Sequence, residues 1–502
     1  SMTLLLCKAD IVESWIMFTV ELNRENLEYD VHSLVQAFYP EEQVRVLIPE
    51  SRQDKREELK NSVRIRVEVQ EEGASLTVDG ETFFWSRPRV DADEALLEQG
   101  DPKVSFKCFL YRTLSRITGK SLPWGNLTGI RPVKIAYGLL EQGRDEDYIL
   151  KYYRQKHYVS PEKAALSVDI ARRERSLLAD IHYEKGYSLY VGIPFCPTTC
   201  LYCSFTSFPI AGYRKMTDAY IDCLIREMEF VSRQCADRIL DSVYVGGGTP
   251  TTLEPEQLDR LLGRLKELFD FETVREFTVE AGRADSITVE KLQVLRRHGV
   301  TRISVNPQTM KQETLDMIGR KASVEQVEEA FALARKAGFD NINMDLILGL
   351  PGETKEDVQR TVDRVVELAP DSLTVHSLAI KRASRLSQWI LENGVSMLRN
   401  TDETMAAAAK GAQRLGMAPY YLYRQKNMSG NFENVGYARE GKSGLYNILI
   451  MEEKQTIAAC GAGAITKRVY PDGRIERCEN VKDVSQYIER IGEMIERKRV
   501  LL

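Results

Sequence analysis

Cys196-Pro197-Thr198-Thr199-Cys200-Leu201-Tyr202-Cys203 is the stretch on which the reading of this chain turns. Its three cysteines stand at C-x3-C-x2-C spacing, directly after the apolar segment Leu189-Tyr190-Val191-Gly192-Ile193. Three thiolates on one short loop can each take one iron of a [4Fe–4S] cube. Such clusters are ordinarily held by four cysteines, so a triplet with no close fourth partner leaves one iron open to a small molecule. A structural zinc site competes with this reading, but zinc wants four ligands, often as two C-x2-C pairs, and only one such pair is present. A disulfide belongs to oxidising compartments. The remaining cysteines, Cys7, Cys108, Cys223, Cys235, Cys460 and Cys478, are scattered and do not make a disulfide framework.

The chain has 502 residues, and single cores rarely grow past ~250–300 residues, so more than one domain is expected. A formal net charge of −5 gives no electrostatic footprint for nucleic acid. No apolar run is long enough to span a bilayer. Cytoplasmic location is the expectation, and a reducing compartment suits an oxygen-sensitive cluster.

Texture changes along the chain. Residues 1–183 are expected to form an N-terminal α/β domain. Within it Val63–Val69 alternates apolar and charged residues, as a half-buried strand does. Glu72-Gly73 supplies a turn, and Leu76-Thr77-Val78 continues as hairpin partner. Helices are expected over 103–118, 132–142 and 160–182. Between the first two lies Pro123-Trp124-Gly125-Asn126-Leu127-Thr128-Gly129-Ile130-Arg131-Pro132, whose Trp and Arg read as exposed in a structured interdomain loop, with a ligand-contact loop as the alternative. From residue 184 short apolar strands, beginning near Leu189, Ser242, Glu276, Arg302, Asn341 and Leu373, alternate with amphipathic helices. That order predicts parallel strands joined by right-handed crossovers, hence a partial (β/α)6 barrel over 184–385. Residues 386–502 are expected as a mixed α+β extension with helices near 402–415 and 482–499. Sites in such sheets lie beyond the carboxyl ends of the strands, where the cysteine loop falls.

The second strand ends in Val243-Tyr244-Val245-Gly246-Gly247-Gly248-Thr249-Pro250. Glycines there permit close backbone approach or positive φ. No Gly-Lys-Ser/Thr follows, so this is no P-loop. The cysteine triplet with an aromatic before its third Cys resembles the radical S-adenosylmethionine (SAM) superfamily, and the glycines resemble that superfamily's GGE-type motif. Tyr190, six residues before Cys196, narrows the resemblance to the oxygen-independent coproporphyrinogen III oxidase group and its heme-chaperone relatives. So do Phe277–Glu280, Ile303–Thr309, Gly319-Arg320, Asn343–Gly352 and the later Ala459–Ile465. With Thr128–Pro132 upstream, the chain looks most like the HemZ-type branch.

The resemblance implies a [4Fe–4S] cluster on Cys196, Cys200 and Cys203, and two SAM molecules. Tyr190, Gly247, Glu280 and Ile465 are expected at the first SAM, and Tyr202, Gly248, Thr249, Gln308, Arg320, Asp345 and Ala379 at the second. It further implies oxidative decarboxylation of a tetrapyrrole propionate to a vinyl group in heme biosynthesis, with an unidentified electron donor. Arg131, Lys381, Arg382 and Arg385 are candidate partners for substrate carboxylates. Three departures bear on the substrate. Phe205 stands where the oxidases carry a fourth Cys, Gly192 replaces a His, and Tyr446-Asn447-Ile448-Leu449-Ile450-Met451 replaces H-N-x-x-Y-W. A heme-trafficking protein on the same fold, or a radical SAM enzyme acting on another substrate, are the alternatives.

Overall fold

The computed structural model describes residues 17–40, 42–48, 63–71, 73–86, 102–129, 131–380, 384–394, 397–424 and 432–502. Cys7, Glu72, Ile130, Lys381 and Arg382 lie outside these residues. Two units separate: Ser1–Asp169 with Arg424–Phe432, and Ile170–Tyr423 with Glu433–Leu502.

The N-terminal unit holds a five-stranded sheet of β1 (Met17–Leu22), β2 (Gln43–Leu47), β3 (Val63–Val69), β4 (Gly73–Val78) and β5 (Glu81–Ser86), in the order β2-β1-β3-β4-β5. β1 is parallel to β2 and β3, and β3-β4-β5 is an antiparallel meander. The alternation in β3 does what a period of two demands. Ile65 and Val67 are buried, and Arg64 and Arg66 carry ion pairs outside. Helices α1 (Glu28–Phe38) and α2 (Pro102–Thr118) cover the apolar face through Leu34, Phe38, Phe106 and Leu110. Three more helices follow: α3 (Val133–Glu141), α4 (Glu146–His157) and α5 (Pro161–Leu177). Trp124, expected at the surface, is fully buried. Its loop is locked against the end of α4, because Gly125 has φ +54° and a β-carbon there would lie 1.8 Å from the His157 carbonyl.

The second unit is an eleven-stranded sheet. Six parallel strands, β6 (Gly186–Ile193), β7 (Ile239–Gly247), β8 (Glu276–Glu280), β9 (Arg302–Ser304), β10 (Ile342–Leu348) and β11 (Ser372–Ser377), stand in sequential order. They form the partial barrel. Helices cover them, so β6 is buried along nearly its whole length, as parallel strands are. The crossover helices begin at legible caps. Ser323 and Thr354 each accept from the backbone N–H three residues on, and Gln326 and Asp357 return the bond.

Residues after 386 are built into this same sheet. β12 (Ala418–Tyr423) and β13 (Asn434–Ala438) extend it antiparallel beyond β11. β14 (Thr456–Cys460) pairs parallel with β6 on the opposite side and carries β15 (Ile465–Val469) and β16 (Ile475–Glu479). The helix expected over 482–499 is two, Val484–Glu489 and Ile491–Arg499. At the other end, Leu178 and Ile181 pack with Tyr420, Tyr421, Ile448 and Leu449, so the unit begins well before residue 184. Among the described residues no helix is long and apolar enough to cross a membrane.

Candidate active site

β6 delivers the cysteine loop to the carboxyl end of the barrel. Several backbone bonds fix the loop: Phe208 N–H to the Pro194 carbonyl (2.7 Å), Leu201 N–H to the Ile318 carbonyl (2.9 Å) and Cys203 N–H to the Cys200 carbonyl (3.2 Å). Each thiol has a polar neighbour. Thr249 Oγ1 lies 3.4 Å from Cys196 Sγ, Arg283 Nη1 donates to Cys200 Sγ at 3.6 Å, and Ser207 Oγ lies 3.7 Å from Cys203 Sγ. Burial, with Cys200 and Cys203 nearby, pushes the Cys196 thiol up to about 11 despite the Thr249 contact. Metal ligation requires the thiolate, so a bound cation would have to offset that rise at Cys196. Among the described residues no three His, Cys, Asp or Glu converge closely enough for one ion. A [4Fe–4S] cluster would instead take the three thiolates one to an iron.

The glycines after β7 clamp this loop. Gly248 N–H donates to the Ile193 carbonyl and Thr249 N–H to the Phe195 carbonyl, both at 2.7 Å. A β-carbon at Gly248 would stand 2.5 Å from the Phe195 carbonyl oxygen, one residue before Cys196. Gly247 has φ +107°, and its β-carbon would stand 3.0 Å from Tyr190 Oη. The strand end is thus a cradle that side chains would fill. A second loop, Gly461-Ala462-Gly463, closes over Gly192: a β-carbon at Gly461 would lie 2.5 Å from the Gly192 carbonyl. Gly461 N–H donates to Glu227 (2.7 Å), a fully buried carboxylate paired with the equally buried Lys498 (2.6 Å). Ile465, two residues past Gly463, is 40% exposed.

Across the mouth, Glu280 ends β8 and accepts a short hydrogen bond from Tyr244. Burial raises its carboxyl to about 7, and the nearby Asp345 adds to the rise. Asp345 on β10 goes the other way. Burial raises it, but His376 (Nε2 at 3.6 Å), Asn343 and Thr374 together hold it below the usual range. Gln308 sits at φ +68°, with its N–H on the Asp345 carbonyl (2.9 Å). Arg320 is buried between Tyr202 Oη (3.4 Å) and the Asn306 carbonyl. Among the described residues, Gln308 Oε1, Arg320 Nε and Ser304 Oγ are buried without a partner. Buried polar atoms are normally paired, so this wall fits a ligand bearing carboxylate, ammonium and hydroxyl groups, as SAM does. Ala379 follows β11, half-buried at its carboxyl end.

Several residues here were not singled out from sequence. Arg283 donates to Thr198, to Cys200 and to Asp285 (2.7 Å); its signal was a basic residue three past Glu280. Tyr244 and Tyr446 stack with centroids 4.4 Å apart, and Tyr190 lies 6.3 and 6.2 Å from them. Tyr446 gets there because Glu276 accepts from the backbone N–H groups of Leu445 and Tyr446, capping the helix Leu445–Glu452. The altered tail motif is therefore an interior plug. Gly192 leaves room for the Tyr190 ring, which lies 3.3 Å from where a β-carbon would be. Phe205 is 72% exposed. Arg385 donates to the Thr199 carbonyl of the cysteine loop, and Arg131 lies in the N-terminal unit.

The sequence profile of the Radical SAM superfamily matches residues 190–365. A protein of Bacillus subtilis (strain 168) named oxygen-independent coproporphyrinogen-III oxidase-like protein HemZ is 40% identical over 386 residues, 76% of this chain and 77% of that one. Heme chaperone HemW of the same organism is 34% identical, over 61% of this chain and 76% of its own. The oxygen-independent coproporphyrinogen III oxidase of Escherichia coli (strain K12) is 29% identical, over 69% and 74%. The solved structure of the Escherichia coli enzyme HemN aligns with a TM-score of 0.49 at 24% identity, over 66% of this chain and 73% of that one. The profile and the 40% identical relative define the class, the radical SAM superfamily, whose proteins work with a [4Fe–4S] cluster and SAM. Within it the chain belongs to the HemZ-type family of oxygen-independent coproporphyrinogen-III oxidase-like proteins.

Proposed function

We propose that this protein is a radical SAM oxidoreductase that converts propionate side chains of a coproporphyrinogen to vinyl groups. The observation that carries the reading is the convergence of the three-cysteine loop with Tyr190, Gly247, Glu280, Gln308, Arg320 and Asp345 at one end of the barrel. Cys196, Cys200 and Cys203 hold the cluster. When bound, cluster and SAM supply an abstractor of hydrogen atoms. Arg320 and Gln308 face the carboxylate of SAM, since a guanidinium bonds a carboxylate strongly. Glu280 and Asp345 accept from its ammonium or ribose hydroxyls. The Tyr190–Tyr244–Tyr446 stack closes the barrel beneath and excludes water. For each propionate, one hydrogen atom leaves the carbon next to the ring. Carbon dioxide then departs and one electron passes to an acceptor, leaving the vinyl double bond.

The relatives named for oxidation of coproporphyrinogen support the substrate class. A second reading, heme binding without turnover, is favoured by the exposed Phe205 in place of a cysteine and by the relatives named heme chaperones. Anaerobic measurement of 5′-deoxyadenosine separates the two. Stimulation by coproporphyrinogen III is expected for the enzyme. Tight heme binding with no such stimulation favours the second reading.

A further inference from the structure

The N-terminal unit carries a cavity of about 600 Å³, set between the end of α2, the Ser121-Leu122 turn and the junction of α4 with α5. Its lining includes Arg112, Arg116 and Arg154 and no acidic side chain. Among the described residues none of the three guanidiniums makes an ion pair; Arg116 only lies over the Phe83 ring (5.6 Å). Three guanidiniums around one pocket with no carboxylate in its lining concentrate positive charge there. The rest of the lining mixes apolar residues with Ser115, Ser121 and Ser160. Tyr111 and Tyr158 stack with centroids 5.1 Å apart and planes 13° apart. Tyr111 is held by the Leu122 N–H, which donates to its hydroxyl at 3.2 Å.

The cavity is built. Tyr158 caps α4 in the left-handed region, φ +56°, where glycine is the easy choice and a residue with a β-carbon is strained. That conformation is what brings its ring onto Tyr111. The strain is enforced from behind, where Asn126 N–H bonds the His157 carbonyl and Ser160 N–H the Pro123 carbonyl, both at 2.9 Å. Gly125 lets the backbones meet. The Pro123–Asn126 stretch, which the barrel chemistry does not use, shapes this wall.

We infer that this cavity binds a planar molecule carrying several carboxylates, the chemistry of a tetrapyrrole with its propionates. The choice of tetrapyrrole rests on the proposed function; the three arginines and the tyrosine stack do not. Guanidiniums take the carboxylates in paired hydrogen bonds, and the half-buried Tyr158 ring, backed by the buried Tyr111, takes the flat face.

The test is an absorption titration of the full, cluster-loaded protein with coproporphyrin III. The double variant Arg112→Gln/Arg154→Gln should weaken a salt-sensitive porphyrin-binding phase at least tenfold and leave SAM binding and iron content unchanged. Tyr158→Gly suits the left-handed backbone, so it should fold as the parent does and still weaken porphyrin at least tenfold. Parent-like porphyrin titration of both variants overturns the inference. So does an arginine-dependent single-stranded oligonucleotide complex in a parent protein that takes no porphyrin. Arginine-dependent porphyrin binding without coproporphyrinogen turnover would sink the reaction proposed above and keep the cavity. Normal turnover with arginine-independent porphyrin binding would do the reverse.

Discussion

Gly247 and Gly248 are adjacent, yet their substitution should fail in different ways. At Gly248 the added methyl meets main chain: 2.5 Å to the Phe195 carbonyl oxygen and 2.9 Å to both the Ile193 oxygen and the Phe195 carbon. None of these atoms can rotate away. Gly248→Ala must shift the strand end that carries Cys196. Overpacking costs ~1–3 kcal/mol, and the two clamp bonds at stake are worth ~0.5–1.5 kcal/mol each. At Gly247 the tightest contact is the Tyr190 hydroxyl at 3.0 Å, the far end of a side chain that can move. The difficulty there is φ +107°, worth on the order of 1–3 kcal/mol for a residue with a β-carbon, together with a methyl group in the cradle. A reactant displaced by ~1 Å can lose ~100-fold in rate. Gly248→Ala should therefore lose most of its iron after anaerobic reconstitution. Gly247→Ala should keep its iron and lose SAM affinity and cleavage. Both properties are measured on one sample, by iron–sulfur absorbance and calorimetric SAM titration. A Gly248→Ala protein with full iron content, or a Gly247→Ala protein that binds SAM as the parent does, would refute the reasoning.

Cys196→Ala/Cys200→Ala/Cys203→Ala should abolish the iron–sulfur absorbance, whereas about four irons per chain retained in it would exclude this loop as the cluster site. Glu280, raised from the ordinary carboxyl value to about 7, binds a proton more tightly folded than unfolded, so the SAM-free protein should lose stability as pH rises from about 4.5 to above 7. The loss amounts to about 3 kcal/mol; urea unfolding of Glu280→Gln should show that slope flattened, and an unchanged slope would count against it. A chain trimmed to begin at Lys185 loses Leu178 and Ile181, buried at 0% and 6% exposure, each worth ~1.5–3 kcal/mol. It also leaves buried Asp241 without His182 (2.9 Å). Thermal melts should place it well below a chain beginning at Ile170, and equal melting temperatures would contradict that boundary.

Much of the barrel was legible because its signals are local. Short apolar strands, amphipathic helices with caps such as Thr354 and Asp357, and glycines at a strand end all sit within a few residues of each other. What escaped depends on distant pairing. Thr456–Cys460 becomes a strand beside β6 only once Tyr187–Val191 lies next to it. Nothing in Ala418–Tyr423 announces that it edges the same sheet. The site divides the same way. Motif residues after strands were readable, but Arg283 matters because the fold sets it against Cys200, and Tyr446 because Glu276, some 170 positions earlier, caps its helix. Trp124 misled because Gly and Pro neighbours suggest a surface loop, whereas the backbone contact at Gly125 draws that loop inward.

The reaction itself is tested most directly by the mass of the tetrapyrrole product. Reconstituted protein is reduced without oxygen and incubated with SAM and coproporphyrinogen III. The expected product has lost one carbon dioxide and two hydrogens for each propionate converted, with 5′-deoxyadenosine formed alongside. Coproporphyrinogen recovered at its starting mass, from protein that carries its cluster and cleaves SAM, would contradict the proposed function.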